Sequence, residues 1–167
     1  ARCGTVNGPL LIGVNRADAR ARYQKLSQDH PKRPEPFEGL GYLALYDGDQ
    51  EQAFPWLAKA VELDTRNAEV YWDFARIARS KASQKTQVIA AIDKLLLLAP
   101  AHVDARLMAG DLMLRDQKYQ QALAYLVPVK KITPQQAPYL FRALAFASWH
   151  VGDQRAAQTA AKRLLEV

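Results

Sequence analysis

A unit of about 34 residues recurs along this chain, and no other feature of the sequence restricts its fold as strongly. The first copy reads Phe37-x2-Leu40-Gly41-x2-Ala44, then Gly48-Asp49, then Ala53-x3-Leu57 and Ala60. The second reads Tyr71-x2-Phe74-Ala75-x2-Ala78, then Val88-x3-Ile92, then Pro100. A third has Ala109-Gly110, Tyr119, Ala122-x3-Leu126 and Pro134, and a fourth has Phe141-x2-Leu144-Ala145, Gly152-Asp153 and Ala157-x3-Ala161. Gly41 to Gly110 is 69 positions, as is Ala53 to Ala122, and the landmarks Ala53, Val88, Ala122 and Ala157 are spaced 35, 34 and 35 apart. One such unit cannot bury its apolar face alone, so a chain with this period folds by stacking neighbours.

Within each copy the apolar residues follow helical periodicity twice. Phe37, Leu40, Gly41 and Ala44 share one face, and Ala53, Leu57, Ala60 and Val61 share another. Small residues at Gly41, Ala53 and Ala60 allow two helix axes to approach closely. Asp47-Gly48-Asp49, Asp116-Gln117 and Val151-Gly152-Asp153 mark turns. Glycine after a helix takes the left-handed conformation, and the adjacent aspartate can cap the next helix. Pro36 and Pro138 stand where first helices begin, a position proline tolerates, and Pro34, Pro100 and Pro134 close the connections between units. Pro55 and Pro128 are expected inside second helices, kinking them at the carbonyls of Glu51 and Ala124. They read as local irregularities rather than hinges.

These motifs resemble the tetratricopeptide repeat, W-x2-L-G-x2-Y followed by A-x3-F and P, in a bacterial-type form. The resemblance covers residues 34–167 in four units, with Phe37, Tyr71, Arg106 and Phe141 in place of the tryptophan. It implies an all-α fold: a right-handed superhelical solenoid of antiparallel helix pairs. The expected units are 34–67, 68–102, 103–137 and 138–167, the last of them a C-terminal, truncated repeat. A partial repeat over 15–33 supplies a second helix only, with Ala19, Tyr23 and Leu26 followed by Pro31. Gly4, Gly8, Pro9 and Gly13 interrupt residues 1–14, which read as an irregular or extended arm with Pro9 to Ile12 as its apolar part. The chain ends on Leu164-Leu165-Glu166-Val167 without the polar capping helix such arrays carry, so this end is expected to continue into more repeats or to pack on something.

Composition fits a soluble folded protein, with cytoplasm and periplasm both open as its compartment. Of 167 residues, 49% are hydrophobic and 24% charged. The longest apolar run, Ile89 to Ile92 and Leu95 to Ala99, is broken by Asp93 and Lys94, far short of the roughly 20 residues that span a bilayer. No signal peptide is visible, and the chain does not begin with Met, so a processed protein or a piece of a longer one is expected. The net charge is +6, but it is dispersed: Arg16, Arg20, Arg22 and Lys25 are interleaved with Asp18 and read as a solvated helix face, not a nucleic-acid site. Cys3 is the one cysteine and forms no internal disulfide, and Arg2 before it does not suit a lipid-anchor signal.

The chemistry-bearing motifs are missing. His30, His102 and His150 lie in different units with no second ligand at metal spacing, and no H-E-x-x-H, phosphate loop or G-x-S-x-G occurs. Gly39-Leu40-Gly41 falls inside a helix pattern, and Asp47 and Asp49 belong to a turn. We expect no enzyme, no cofactor and no metal.

The resemblance implies a module that binds a partner protein or peptide in a concave groove lined by first helices. The positions it maps to that groove are Glu38, Tyr42 and Tyr46 in the first unit, and Trp72, Arg76 and Arg79 in the second. The third unit adds Asp111 and Arg115, and the fourth adds Arg142, Phe146 and Trp149. It maps Glu35, Leu45, Glu69, Asp104, Leu107, Tyr139 and His150 to the same groove. Aromatic residues with interleaved arginines make binding hot spots. The Lys/Asn carboxylate clamp of chaperone-binding relatives is absent, but Arg76, Arg79 and Arg142 suit an acidic peptide. Two other readings stand beside this one: a non-catalytic repeat region of a larger, peptidase-like bacterial protein, and self-assembly into a homo-oligomer through the ends of the array.

Overall fold

A computed structural model describes residues 15–167, so the expected Pro9 to Ile12 arm and Cys3 lie outside the described residues. Regular structure among the described residues is entirely helical. The elements are α1 (Arg16–Asp29), α2 (Glu35–Tyr46), α3 (Gln50–Glu62), α4 (Ala68–Ala78), α5 (Lys85–Leu98), α6 (Val103–Arg115), α7 (Tyr119–Leu126), α8 (Ala137–His150) and α9 (Gln154–Leu164). The chain divides within α5 into two compact units, one ending at Lys94 and the other beginning at Leu95.

Local chemistry starts and stops these helices where the turn signals stand. Asp49 accepts a hydrogen bond from the Gln52 N–H at 2.8 Å, and Asp153 accepts one from Ala156 at 2.9 Å, so both turn aspartates cap the following helix. His102 does the same for α6, its Nδ1 accepting from Ala105 at 3.2 Å. Pro36 and Pro138 occupy the first turns of α2 and α8, where no intrahelical N–H is needed. After α2, the Gly48 N–H donates to Leu45 and the Asp49 N–H donates to Ala44, with Gly48 at φ +80°. The same pair of bonds closes α6 onto Leu114 and Met113, and closes α8 onto Trp149 and Ser148. Gln117 takes the left-handed position after α6 at φ +58° without being glycine. The turn after α4 departs from this pattern: a single 3-10 turn, Ala82–Gln84, leads into α5.

In the first unit, α1 packs on α2, α2 on α3, and α3 on α4. Phe37, Leu40, Ala44, Ala53, Leu57 and Ala60 are all buried. Gly41 lies in α2 opposite Leu57, so close that a β-carbon there would stand 2.6 Å from Leu57 Cδ2. The absent side chain is what sets the distance between α2 and α3. Around the α3–α4 turn, Asp64 accepts from Lys94 Nζ at 2.8 Å and from the Tyr71 hydroxyl at 3.2 Å. These bonds, Lys94 first, hold the Asp64 carboxyl below its ordinary pKa.

In the second unit, α6 packs on α7 and α8, α7 on α8, and α8 on α9. Gly110 repeats the close approach, with a β-carbon there 2.5 Å from Leu126 Cδ2. Arg106, at the position of the repeat's tryptophan, donates from Nε and Nη2 to the Pro100 carbonyl at 3.1 and 3.0 Å, tying the start of α6 to the connection before it. The landmarks Ala122 and Ala157 are buried, but Ala161 is exposed.

The two unusual prolines part company. Pro55 does lie within α3. Pro128 does not lie within α7, contrary to the sequence expectation: α7 ends at Leu126, so no helix is kinked at Ala124. Residue 128 has no N–H to offer the Ala124 carbonyl, and the Val129 N–H turns instead to Leu126 at 3.1 Å. The result is an 8-residue helix where α3 has 13.

Candidate functional site

In the first unit, α2 presents Glu38, Tyr42 and Tyr46, and α4 presents Trp72, Arg76 and, at its C-terminal cap, Arg79. Glu38 and Tyr42 are held from the α3–α4 connection. Glu38 accepts from the Thr65 hydroxyl and, at 3.2 Å, from Asn67 Nδ2, which also reaches the Tyr42 oxygen at 3.3 Å. Thr65 is only 2% exposed, so this network is largely withdrawn from water. Burial first, then the charges of Asp73, Glu38 and Glu69, raise the Tyr42 pKa well above that of a free tyrosine. Arg76 is engaged already, its Nη2 3.1 Å from Asp73, while Arg79 is exposed. Trp72 is half-buried.

Tyr46, at the end of α2, is 69% exposed. The Arg16 guanidinium lies 4.6 Å above its ring, and both Arg16 and Arg20 reach Asp47, at 3.0 and 2.6 Å. These bonds join α1 to the end of α2.

In the second unit, α6 presents Asp111 and Arg115, and α8 presents Arg142, Phe146 and Trp149. Asp111 and Arg115 pair at 2.9 Å. The Tyr139 hydroxyl is buried beside them; burial first, then the Asp111 carboxylate, lift its pKa to about 12, while the charges of Arg115 and Arg142 work against the rise. The Tyr139 hydroxyl is buried and without a hydrogen-bond partner among the described residues. At the other end of α8, His150 stacks on Tyr119 of α7 at 4.3 Å with the planes 9° apart, and Phe146 meets both rings edge-on. Phe146 is 50% exposed and Trp149 is 65% exposed.

Sequence reasoning missed Arg16 and Tyr119. Each stands three residues before a second-helix alanine, Ala19 or Ala122, and each contacts the last residue of the next first helix, Tyr46 or His150. That register was the available signal. Thr65 and Asn67 were also missed, because nothing local marks a connection residue as a partner for a helix 27 positions back. Among the described residues no group of three His, Cys, Asp or Glu side chains could hold a metal, and no helix is long and apolar enough to cross a membrane.

Helix pairs closed by one repeated turn, with one repeated glycine contact, are the geometry on which comparison with known structures turns. The structure of MamA is similar over 98% of this chain and 95% of its own, with a TM-score of 0.66 and 21% identity. That of YrrB, described as a TPR protein with an unusual peptide-binding site, is similar over 95% of this chain and 81% of its own, with a TM-score of 0.68 and 17% identity. This chain has the tetratricopeptide repeat fold. Human protein O-mannosyl-transferase TMTC3 is 23% identical over 103 residues, which are 62% of this chain. The chain spans only 11% of that curated relative's length. No protein-family model matches the chain.

Proposed function

We propose that this chain is a protein-interaction module whose first-helix faces bind a partner peptide or domain. The observation that carries the reading is the exposure of large aromatic side chains on these helices: Tyr46 at 69%, with the Arg16 guanidinium of α1 over its ring, and Phe146 and Trp149 at 50% and 65%. Folding buries such rings where it can, and exposed aromatics flanked by guanidinium groups are the usual anchors of binding surfaces. The peptide-binding site in the description of YrrB supports the same reading by analogy of fold.

The structure suggests a division of labour among the candidate residues. Glu38 and Tyr42 form the floor of the face in the first unit, since their polar atoms are engaged by Thr65 and Asn67. Tyr46, Trp72 and Arg79 would contact the partner there, and Arg142, Phe146 and Trp149 would do so in the second unit. Arg76 and Arg115 are paired with Asp73 and Asp111, so an acidic ligand would have to displace a carboxylate already in place. The repeats proposed to carry these faces are 34–67, 68–102, 103–137 and 138–167.

Panning a random peptide library on the full chain tests the proposal. Selected peptides should bind the native protein and lose at least tenfold in affinity for Tyr46→Ala with Arg142→Glu and Trp149→Ala, once circular dichroism shows that variant folded. Peptides held equally by the variant would refute the assignment to these faces. A second reading, a repeat region inside a larger protein, draws on the small share of TMTC3 that the chain spans.

A further inference from the structure

Beside the residues that follow α7, an open cleft of about 400 Å³ lies in the second unit, a size that suits a ligand group. Val127 and Val129 form one side, from the irregular stretch that replaces the end of α7. Leu140, Phe141 and Leu144 of α8 form the floor, and Ala156, Thr159 and Ala160 of α9 face them. None of the first-helix candidates named above lines it. Phe141 and Leu144 occupy the repeat positions held in the first repeat by Phe37 and Leu40; those two are buried, while Phe141 and Leu144 remain half-exposed to this cavity. Val127, at its mouth, is 65% exposed.

The rim is cationic. Arg155 and Arg163 line the cavity, and exposed Lys130 and Lys131 follow Val129 directly. Among the described residues no carboxylate lies within 4 Å of Arg155 or Arg163; the Arg163 guanidinium rests 5.8 Å over the Phe141 ring. Asp153 is the acidic residue in the lining, and its Oδ1 already accepts the Ala156 N–H.

We propose that this cavity is a second docking site, distinct from the first-helix faces, for an acidic peptide segment that inserts one leucine- or phenylalanine-sized side chain between α8 and α9. The apolar walls take the side chain, and flanking carboxylates meet the guanidinium groups bidentately at the rim. Two guanidinium groups on one apolar slot outnumber the single carboxylate of a fatty acid, and Lys130 and Lys131 continue the positive charge along the chain from Val129. They match a segment carrying several acidic residues on either side of its anchor.

Nuclear magnetic resonance on the full, uniformly 15N-labelled chain tests this with three synthetic peptides in one Gly-Ser frame. One carries Glu-Glu-Leu-Phe-Glu-Glu, one replaces every Glu by Lys, and one replaces Leu-Phe by Ser-Ser. The first should shift the amides of Val127, Val129, Leu144 and Thr159 and bind at least tenfold tighter than either other. Arg155→Glu with Arg163→Glu should weaken it at least tenfold, and so should Val127→Glu, which adds a like charge at an exposed site where folding is not at stake. Added salt should weaken binding as well. Equal binding of the Lys peptide, shifts confined to α2, α4 and α6, or no binding at millimolar peptide would overturn the proposal. So would decanoate displacing the peptide and binding more tightly than it, or concentration-dependent shifts of the same amides without peptide, which would assign the slot to a fatty acid or to a second copy of the chain.

Discussion

Single atoms decide how closely these helices approach. Gly41 and Gly110 sit in α2 and α6, where alanine would favour the helix by about 1 kcal/mol. Yet a β-carbon at either site would meet a fully buried leucine at 2.8 Å or less, at the branch carbon as well as at a methyl. Leu57 and Leu126 are fully buried, so making room means shifting packed core side chains, and the overpacking cost of about 1–3 kcal/mol outweighs the helical gain. Gly41→Ala and Gly110→Ala are each expected to destabilise the protein in urea titrations; a gain of about 1 kcal/mol would show that the leucines yield. The opposite sign is expected at residue 117. Gln117 adopts φ +58° in a turn that Gly48 and Gly152 close elsewhere with φ +80° and +84°. A residue with a β-carbon is strained there by about 1–2 kcal/mol, partly offset by the extra chain entropy glycine loses on folding. Gln117→Gly should therefore raise stability by about 0.5–1 kcal/mol, again by urea titration.

At the scale of elements, the two prolines show how position governs consequence. Pro55 stays within α3, where it withholds a hydrogen bond from the Glu51 carbonyl and where its side chain is exposed. Replacing it removes a penalty that reaches about 3 kcal/mol in a regular helix, so Pro55→Ala should raise the unfolding midpoint by an amount corresponding to about 1–3 kcal/mol. Pro128 ends α7 instead, and the chain then takes a ten-residue path, 127–136, to α8. Pro128→Ala should let α7 continue past Leu126, moving the 13C shifts of residues 127–131 to helical values. Unchanged shifts would place the stop in the packing of the half-buried Val129 rather than in the missing N–H. The helix periodicity, the capping aspartates and the turn glycines were legible in the sequence because each acts within four residues. The end of α7 was not, since a proline after two helical turns is read equally as a kink or a stop.

For the whole molecule, the tyrosines connect packing to pH. Tyr71 and Tyr139 both have pKa values raised to about 12, burial being the first cause in each, with Asp64 and Asp111 adding negative charge nearby. In the unfolded chain a tyrosine titrates near 10. Between about pH 10 and 12 the unfolded state therefore binds fewer protons than the folded one, and stability falls as pH rises. Below pH 10 these groups contribute no pH dependence. Urea midpoints measured at pH 9 and 11 should fall for the native protein. The fall should be smaller for Tyr139→Phe, which removes one of the ionising hydroxyls while keeping the ring. An identical fall in both would mean that Tyr139 ionises as freely in the fold as outside it.

The period, the helix pairs, the first-turn prolines and the buried landmarks Ala53, Val88 and Ala122 followed from the sequence alone, because stacked repeats are held by local periodicity and by contacts between near neighbours in the chain. The candidate face was legible as a set of positions on first helices, but its state was not. That Glu38 and Tyr42 are held by Thr65 and Asn67, and that Tyr119, Phe146 and His150 form one aromatic cluster, depend on side chains from different elements meeting in space. The cleft lined by α8, α9 and the stretch after α7 belongs with these, since only the tertiary structure brings Val127, Phe141 and Arg163 around one space.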